Sequence, residues 1–428
     1  MKVLLYTQNH LPRLQYICSF IFEELLGIEC IVTTGCEVFK TYEGIKINYS
    51  NSPVCSNEFH LSPTGLLAEQ TITPQTIDCF KINNYKAFFK TENSDFAFDI
   101  FSTAFYLLSR YEEYLQHQKD MYGRYAHENS LAFREDFLHL PLINIWVKDF
   151  AVALQNKFPS LVIHVPVFKF IPTYDVDIAY SFKHKGLMRN VGGFLKSPSL
   201  DRIQILLGLR KDPFDTYDWL IDLHEQYKLY PVYFFLVAAK NGLYDKNILP
   251  AKKAMYQLAK KHADKCAIGI HPSWQSGDDD NLLTKEIAQL RLMSQQEITK
   301  SRQHYIRFNL PAGYRRLLKE NISDDYSMGY GSINGFRASV TSSFYWFDLE
   351  NNETTSLRIH PFCFMEANSY YEQKLSADSA FEELMQYYTA CKEVNGELIT
   401  IWHNHMVGED NLYKGWGRMY ENFLKKIM

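Results

Sequence analysis

The stretch FKFIPTYDVD, residues 168–177, is an apolar run that ends in two aspartates, and it opens the part of the chain that decides the fold. The predicted strands of this part are 168–174, 232–237, 266–270, 305–308, 325–328, 357–363 and 398–402. Amphipathic helices are predicted between most of them, at 214–227, 252–262, 282–298, 312–320 and 380–394. Apolar strands that alternate with helices indicate an α/β fold with a parallel sheet covered by helices. Seven such units favour a closed or nearly closed (β/α) barrel over an open sheet.

The residues before this region have a different pattern, in which short strands are mixed with helices. A strand is predicted at 2–6, and the clearest helix is predicted at 99–115, behind a cap at Asp99. Pro159 and Pro166 flank the change to the apolar strand pattern, so we place a domain boundary there. The sequence thus predicts a smaller α+β domain over residues 1–163 and a barrel over residues 164–428.

Composition excludes several classes of protein. The 428 residues contain 45 Lys and Arg against 49 Asp and Glu, a net charge of −4, which argues against a nucleic-acid coat or a polybasic anchor but allows a local basic patch. No run approaches the roughly 18 apolar residues of a membrane helix, so no integral membrane segment is expected. The N-terminus does not have the pattern of a signal peptide. The eight cysteines form no CxxC pair, which predicts reduced thiols in a cytoplasmic protein and no cysteine-bound zinc.

Titratable residues follow several of the predicted strands, and in a barrel of this kind chemistry lies at those strand ends. Asp175 and Asp177 end the first strand, at a spacing that places both on one face. Two such carboxylates repel each other unless a cation or a proton lies between them, so a metal with an adjacent general base would suit them. The alternative is structural, with one aspartate capping a helix and the other paired with Lys183 or Lys185.

Three histidines are candidates at the other strand ends. His271 follows CAIGI and has the context of a metal ligand, because neutral imidazole is a common ligand of catalytic zinc. His403 ends the last strand and could protonate a leaving group, whereas His405 shares its face and could be a surface residue without a role in the site. His304 and Arg307 are three residues apart and would face opposite sides of a strand, so they are a weaker ligand candidate and a candidate ion-pair partner of the aspartates.

Together these residues resemble the NodB-homology polysaccharide deacetylases, whose motifs are spread over a distorted seven-stranded (β/α) barrel. TYDVD resembles the first motif through Asp175, GIHPSW the second through His271, the stretch 307–311 an arginine–proline motif, and the stretch 401–403 the last motif through His403. The resemblance covers about residues 165–428. The whole chain is similar to a bacterial subgroup with an extra N-terminal domain of unknown function, in phrases such as FYLLSRYEEY, SRQHYIRF, DYSMGY and GFRAS.

The sequence departs from the family pattern at two positions. Val176 separates two aspartates that are usually adjacent, and Gln275 stands where a second histidine is usual. The third ligand could therefore be His304, Gln275 or Ser273, or the chain could bind no metal.

The resemblance implies a metal-dependent hydrolase that removes N-acetyl groups from a sugar, glycan or glycolipid precursor. Asp175 would take a proton from water and His403 would protonate the departing amine. The implied ligands of a divalent metal such as zinc are Asp177, His271 and His304. The implied substrate contacts are Arg307, Arg337, Trp274 and Tyr330, although a tryptophan such as Trp274 more often serves core packing.

Two alternatives to this activity stay open. The protein could be a catalytically inactive, deacetylase-like protein that binds carbohydrate, as the missing second histidine would suit. It could also be a glycosidase that uses Asp175 with a distant carboxylate. Both alternatives imply a carbohydrate partner and no nucleic acid. The sequence leaves the identity of the sugar and the oligomeric state open.

Overall fold

The computed structural model describes residues 2–196 and 198–428. Its N-terminal part contains a small parallel sheet in the order β2-β1-β3-β4, and a separate hairpin of β5 and β6. The strands are β1 (Lys2–Thr7), β2 (Glu29–Thr33), β3 (Ile45–Tyr49), β4 (Phe59–Leu61), β5 (Phe80–Ile82) and β6 (Tyr85–Ala87). The helices are α1 (Pro12–Cys18), α2 (Cys36–Thr41), α3 (Ile100–Leu108), α4 (Leu131–Arg134) and α5 (Leu142–Lys157).

The helix predicted at 99–115 is shorter in the structure. The Asp99 carboxylate accepts a hydrogen bond from the backbone N–H of Ser102 and caps α3, as predicted. The helix ends at Leu108, because Arg110 has a φ of 55° and a separate 3₁₀ turn follows at Tyr111–Tyr114. The left-handed backbone at Arg110 aims this turn toward the C-terminal part of the chain, where its charged side chains find partners.

The C-terminal part is built on a nine-stranded sheet in the order β12-β13-β11-β10-β9-β8-β7-β15-β14. Its strands are β7 (Lys169–Val176), β8 (Val232–Phe235), β9 (Ala267–Ile270), β10 (Lys300–Ser301), β11 (Asp324–Asp325), β12 (Phe344–Asp348), β13 (Glu353–Ile359), β14 (Phe364–Met365) and β15 (Glu397–His403). Its helices are α6 (Leu187–Lys196), α7 (Leu200–Leu206), α8 (Tyr217–Tyr227), α9 (Lys253–Ala263), α10 (Asp280–Ser294), α11 (Ala312–Lys319), α12 (Ala377–Glu393) and α13 (Trp416–Ile427). All neighbouring strands run parallel except β12, which is antiparallel to β13.

The α/β class with a parallel-rich sheet is confirmed, while closure into a seven-stranded barrel stays a prediction. Within the described residues the hydrogen-bonded ladder has two ends, at β12 and β14, and both of these strands were missed in the sequence. The fourth strand predicted at 305–308 is wrong. That strand is Lys300–Ser301, and His304–Ile306 form a 3₁₀ turn in which Tyr305 has a φ of 60°. Ile306 in the turn and Phe308 just after it are both buried, so apolar and polar residues alternate here as they would in a strand.

The N-terminal and C-terminal parts share one hydrophobic core. The edge strand β12 forms the seam, since the Phe347 ring lies 5.0 Å from the Tyr16 ring and 5.2 Å from the Phe105 ring, measured between centroids. A buried ion pair crosses the same seam, from Arg337 to Glu113 at 2.6 Å. In the described part of the chain, no helix is long and apolar enough to cross a membrane.

Candidate functional site

A cavity of about 590 Å³ opens at the carboxyl ends of the large sheet. Five of the residues singled out in the sequence line it, namely Asp175, Asp177, His271, His304 and His403. Strand register explains how they meet. His403 lies opposite Asp175 in the pairing of β15 with β7, and Ile270 lies opposite Ser301 in the pairing of β9 with β10. The residues that follow this second pair, His271 and Arg302, therefore leave the sheet at the same level.

Asp177, His271 and His304 form a compact cluster in the cavity. One ligand atom from each lies within 4.8 Å of the others. The His271 Nε2 atom is 3.0 Å from Asp177 Oδ1, and the His304 Nε2 atom is 3.6 Å from Asp177 Oδ2. Both histidines are buried, at 1% and 5% exposure. The structure thus brings together the three residues predicted as metal ligands.

The far nitrogen of each histidine is fixed by a hydrogen bond. The His271 Nδ1 atom donates to the backbone carbonyl of Arg302 at 2.6 Å. The His304 Nδ1 atom donates to the Oδ1 atom of Asp245 at 3.0 Å, and that carboxylate is held in turn by the backbone N–H of Trp274. These bonds orient both Nε2 atoms toward Asp177. Partners of this kind fix the tautomer of metal-binding histidines.

The cluster has the electrostatics of a site that needs a cation. The Asp177 Oδ1 atom is buried and accepts no hydrogen bond. Because Nδ1 of neutral His271 carries the proton, its Nε2 lone pair faces the Asp177 lone pairs across 3.0 Å. That arrangement is repulsive unless a proton or a metal ion lies between them. One carboxylate and two imidazoles also form a donor set of catalytic zinc centres, so the residues present fit a divalent metal.

A protonated His304 supplies the same positive charge in the absence of a cation. Burial would lower the pKa of His304, but the Asp177 and Asp245 carboxylates outweigh it and raise that pKa to about 9. Burial likewise opposes ionisation of Asp177, yet His304 and His271 hold the pKa of its carboxyl well below the usual range. The site is therefore organised around positive charge beside Asp177.

Asp175 is held by a buried arginine that the sequence did not single out. The Arg302 Nη1 atom donates to Asp175 Oδ1 at 2.9 Å, and its Nε atom donates to the Tyr326 carbonyl at 3.0 Å. The guanidinium also packs over the Phe234 ring at 4.4 Å. Asp175 Oδ2 lies 3.7 Å from His271 Nε2, at the edge of the cluster. The pairing expected of Arg307 is thus made by Arg302 instead.

His403 lies on another side of the cluster and is bound to a buried glutamate. Its Nδ1 atom is 3.0 Å from Glu366 Oε1, and its Nε2 atom is 3.5 Å from Asp177 Oδ2. Burial would lower the pKa of His403, but Glu366, followed by Asp177 and Asp175, raises it to about 10. His405, for which the sequence allowed a surface position, is buried and also lines the cavity. Its ring is buried beside His403, and its pKa falls to about 3 through burial and that neighbour.

The predicted substrate contacts lie apart from the cluster. Arg307 pairs with Asp278 and stacks over Trp274 at 4.5 Å. Trp274 in turn stacks on Tyr244, a residue of the cavity wall, at 4.0 Å between centroids. Arg337 is buried against Glu113, and the Tyr330 hydroxyl accepts a hydrogen bond from Arg110. None of the four predicted contacts is among the described residues that line the cavity.

The other two candidates for a third ligand have partners elsewhere. Gln275 donates to Asp245 Oδ2 at 3.0 Å and to the Lys240 carbonyl, and the Ser273 hydroxyl donates to Glu286. Neither side chain belongs to the cluster. Of the alternatives left open by the sequence, His304 is the one whose side chain the structure places beside Asp177.

One wall of the cavity comes from the N-terminal part of the chain. Tyr122 and Arg124 line it, and the Arg124 Nη1 atom donates to the Tyr305 carbonyl at 2.7 Å. The Tyr122 ring lies 5.3 Å from the Tyr305 ring and 6.1 Å from the Tyr244 ring, between centroids. Asp120 holds Arg124 in place through a 2.6 Å ion pair. The two parts of the chain thus build the cavity together.

Three functional candidates were missed in the sequence, namely Arg302, Glu366 and Asp245. Arg302 directly follows β10 and Glu366 directly follows β14, so the strand-end argument finds both once these two strands are placed correctly. Both strands are only two residues long, which leaves no hydrophobic period to recognise. Asp245 lies in the loop between β8 and α9, where no pattern marks it.

Comparison with known family models gives one match, in the N-terminal part of the chain. Residues 3–159 match a family model described as a family of unknown function, DUF7033. No curated protein matches the chain.

Solved structures with similarity include three hydrolases. A structure assigned as a polysaccharide deacetylase from Mycobacterium smegmatis is 12% identical, with a TM-score of 0.41, over 61% of this chain and 84% of that chain. The polysaccharide deacetylase Bc1974 from Bacillus cereus is 9% identical, with a TM-score of 0.31, over 61% and 88%. The PuuE allantoinase is 9% identical, with a TM-score of 0.37, over 61% and 83%. Such distant similarity leaves the function to be argued from the site.

Proposed function

We propose that this protein is a metal-dependent hydrolase that removes N-acetyl groups from a sugar, glycan or glycolipid precursor. The observation that carries the proposal is the Asp177–His271–His304 cluster, whose ligand atoms lie within 4.8 Å of one another in a cavity that Asp175 and His403 also line. A cluster of metal donors, a carboxylate held in place by an arginine and an anchored imidazole in one cavity are the groups that amide hydrolysis requires.

Asp177, His271 and His304 would hold the metal. A divalent ion such as zinc, when bound there, supplies a Lewis acid that polarises the amide carbonyl and makes water a better nucleophile. Asp245 and the Arg302 carbonyl would keep both histidines in the ligand orientation, as their hydrogen bonds already do.

Asp175 is the proposed general base. Its Oδ1 atom is occupied by Arg302, which leaves Oδ2, on the side of His271, to accept the proton of the attacking water. Because Arg302 is fully buried and held by Tyr326 and Phe234, the carboxylate has a fixed orientation. A fixed base within reach of the water avoids reorganisation during the reaction.

His403 is the proposed general acid. Glu366 holds its Nδ1 atom and stabilises the charged imidazolium, so Nε2 carries a proton at neutral pH and can donate it to the departing amine. The register of β15 with β7 places His403 opposite Asp175, so that acid and base flank the cluster.

A carbohydrate substrate suits the cavity wall. Tyrosines supply much of that wall, and a sugar ring can pack its C–H face on such rings while its hydroxyls bond to their polar edges. The tyrosines that line the cavity are Tyr122, Tyr244, Tyr305, Tyr371 and Tyr413. The names of two of the structural neighbours, polysaccharide deacetylases, agree with this substrate class.

All eight cysteines are free, which supports a reducing compartment such as the cytoplasm.

The test joins metal analysis to product analysis. Protein purified without chelator is assayed for bound metal and for acetate release from N-acetylglucosamine oligosaccharides, with Asp177→Asn and His271→Ala as variants. His139→Ala is the matched control, because His139 lies in an exposed turn and has no partner in the cluster. We expect one metal ion per chain and acetate release in the unaltered protein and the control, and loss of both in the two variants.

Other outcomes favour the alternatives. Absence of bound metal from the unaltered protein contradicts the proposal and favours an inactive carbohydrate-binding protein. New reducing ends without acetate indicate a glycosidase. Circular dichroism of the variants shows whether the loss of metal is local or reflects unfolding.

A further inference from the structure

A strongly basic segment connects β7 to α8. Residues 183–211 read KHKGLMRNVGGFLKSPSLDRIQILLGLRK, and we call them the basic segment. It contains seven Lys and Arg residues and one acidic residue, Asp201, a net charge of +6. Since the whole chain has a net charge of −4, the remaining residues carry −10. Positive charge is therefore concentrated in this segment.

The same segment exposes large apolar side chains. Five of them are at least 69% exposed, namely Met188 (90%), Leu195 (77%), Leu200 (78%), Leu207 (69%) and Leu209 (73%). On α6 the residues Met188, Val191 and Leu195 share one face at helical spacing, while Arg189 and Lys196 flank that face on one side. Large apolar side chains exposed at several positions of one segment are typical of a surface that binds a partner.

The charge of the basic segment indicates what kind of partner binds its apolar surface. A second copy docked by the same face would bring two surfaces of +6 together, which disfavours a symmetric dimer. A helix of ten residues spans about 15 Å, half of the hydrocarbon thickness, so α6 cannot cross a bilayer. Exposed leucines flanked by lysine and arginine instead fit the boundary between lipid head groups and acyl chains, with the cations on anionic heads.

We infer that the basic segment docks this protein on the surface of an anionic lipid bilayer. The apolar face of α6 and the leucines at 200, 207 and 209 enter the interface, and the exposed cationic side chains of Arg189, Lys196 and Lys211 bind lipid phosphates and carboxylates. The rest of the chain, at −10, is repelled by the same surface. The protein is thereby oriented with the basic segment toward the bilayer.

The segment is attached at the rim of the cavity. The Asp212 carboxylate accepts hydrogen bonds from the backbone N–H groups of Ser181 at 2.8 Å and Lys183 at 3.0 Å, which ties the two ends of the segment together. Ile178 and Phe214, just outside these ends, both line the cavity. A docked protein would hold its cavity beside the lipid head groups. On the proposed function, this geometry favours an acetylated sugar carried on a lipid.

Vesicle co-sedimentation tests the docking without any use of activity. Full-length protein is mixed with vesicles of phosphatidylcholine alone or of equal parts phosphatidylcholine and phosphatidylserine. We expect binding only to the second, weakened by added salt. Arg189→Gln with Lys196→Gln should weaken partitioning roughly 25-fold, at about fivefold per charge. Leu195→Ser with Leu209→Ser should weaken it more than about tenfold through lost apolar burial.

Matched controls are available on other surfaces. Leu292→Ser removes a leucine that is 65% exposed on α10, and Lys252→Gln with Lys253→Gln removes two exposed charges at the start of α9. Both controls should bind like the unaltered protein. Absence of binding to the anionic vesicles at low salt overturns the inference, as does binding that the segment variants leave unchanged.

A concentration-dependent dimer that the leucine variant abolishes, without vesicle binding, assigns the face to a second copy and also overturns the inference. Thermal unfolding of the variants should match that of the unaltered protein, because the replaced side chains are exposed. Acetate release from a soluble oligosaccharide should survive in Leu195→Ser with Leu209→Ser, so loss of docking and loss of the proposed activity are separate results.

Discussion

Arg302 donates from Nη1 to the Oδ1 atom of Asp175 at 2.9 Å, and the two side chains are only 0% and 3% exposed. A buried ion pair of this kind stabilises a protein little more than apolar residues of the same size would. Removal of one partner, however, leaves the other charge buried and uncompensated. The pair therefore couples the stability of the protein to the orientation of its proposed base.

Arg302→Met and Asp175→Asn should each lower the free energy of unfolding by about 3 kcal/mol, as broken buried pairs do. The double variant should lose less than the sum of the two, because neither charge is then unpaired. Denaturant unfolding measures all three. Lys2→Met is the control, since its pair with Glu29 is more than half exposed on both sides and should contribute little to the free energy of unfolding. Strictly additive effects would contradict the pairing.

Glu366→Gln should change the pH profile of the reaction. Without that carboxylate the pKa of His403 falls from about 10, so the imidazolium deprotonates at lower pH. The alkaline limb of kcat/KM should move down by about two pH units, and the acid limb should stay in place. Glu372→Gln is the matched control, a carboxylate that lines the same cavity without bonding to His403. An unmoved alkaline limb would exclude His403 as the acid.

Tyr122→Ala should weaken substrate binding. Tyr122 comes from the N-terminal part of the chain and packs against Tyr305 at the cavity wall, so its loss removes a stacking surface but none of the reacting groups. We expect KM to rise about tenfold with kcat little changed, a loss typical of one aromatic contact. Tyr230→Ala, at a side chain that is 87% exposed, should leave both constants unaltered. A fall in kcat alone would show that Tyr122 acts on the chemistry instead.

Glu113→Gln should destabilise the seam between the two parts in a pH-dependent way. Burial opposes ionisation of Glu113, but Arg337 and Arg110 lower its pKa from 4.5 to about 2. The native state therefore favours the ionised Glu113 carboxylate. The stability that this carboxylate contributes is complete above the pKa that Glu113 has in the unfolded chain, and it is lost as pH falls toward about 2. At pH 7 the variant should be less stable by roughly 3 kcal/mol.

The neighbouring glutamate provides the control for that pH dependence. Burial raises the pKa of Glu112, so its ionisation costs stability, and this cost appears as pH rises through the unfolded pKa. The difference in the free energy of unfolding between Glu112→Gln and the unaltered protein should therefore change with pH in the direction opposite to that of Glu113→Gln. Denaturant unfolding at several pH values between 3 and 7 (a range set by the ordinary pKa of glutamate, about 4.3) measures both. Parallel trends in the two variants would refute the assignment.

The long strands and the residues that end them could be predicted from the sequence, because burial on both faces gives a continuous apolar run with a polar residue after it. This argument found Asp175, Asp177, His271 and His403. It failed at β10 and β14, where two residues suffice to make a strand because neighbours on the sheet already fix the backbone. With β10 misplaced, Arg307 was considered for the position that Arg302 occupies.

His304 was predicted from the right stretch for the wrong local reason. It does not start a strand but sits in a tight turn, and the positive φ of Tyr305 and Ile306 is what keeps its ring beside Asp177. Residue types that adopt such backbone only under tertiary constraint give no sign of it in the sequence. The contribution of Tyr122 was equally hidden, since it depends on contacts between segments about 180 residues apart.

The seam at β12 has a consequence for inheritance. A recombination event that joined the C-terminal part to an unrelated leader would leave Phe344 and Phe347 in water and open the cavity where Tyr122 now closes it. The recombined protein would lose solubility and substrate selection together. The two parts of this chain should therefore be inherited as one unit.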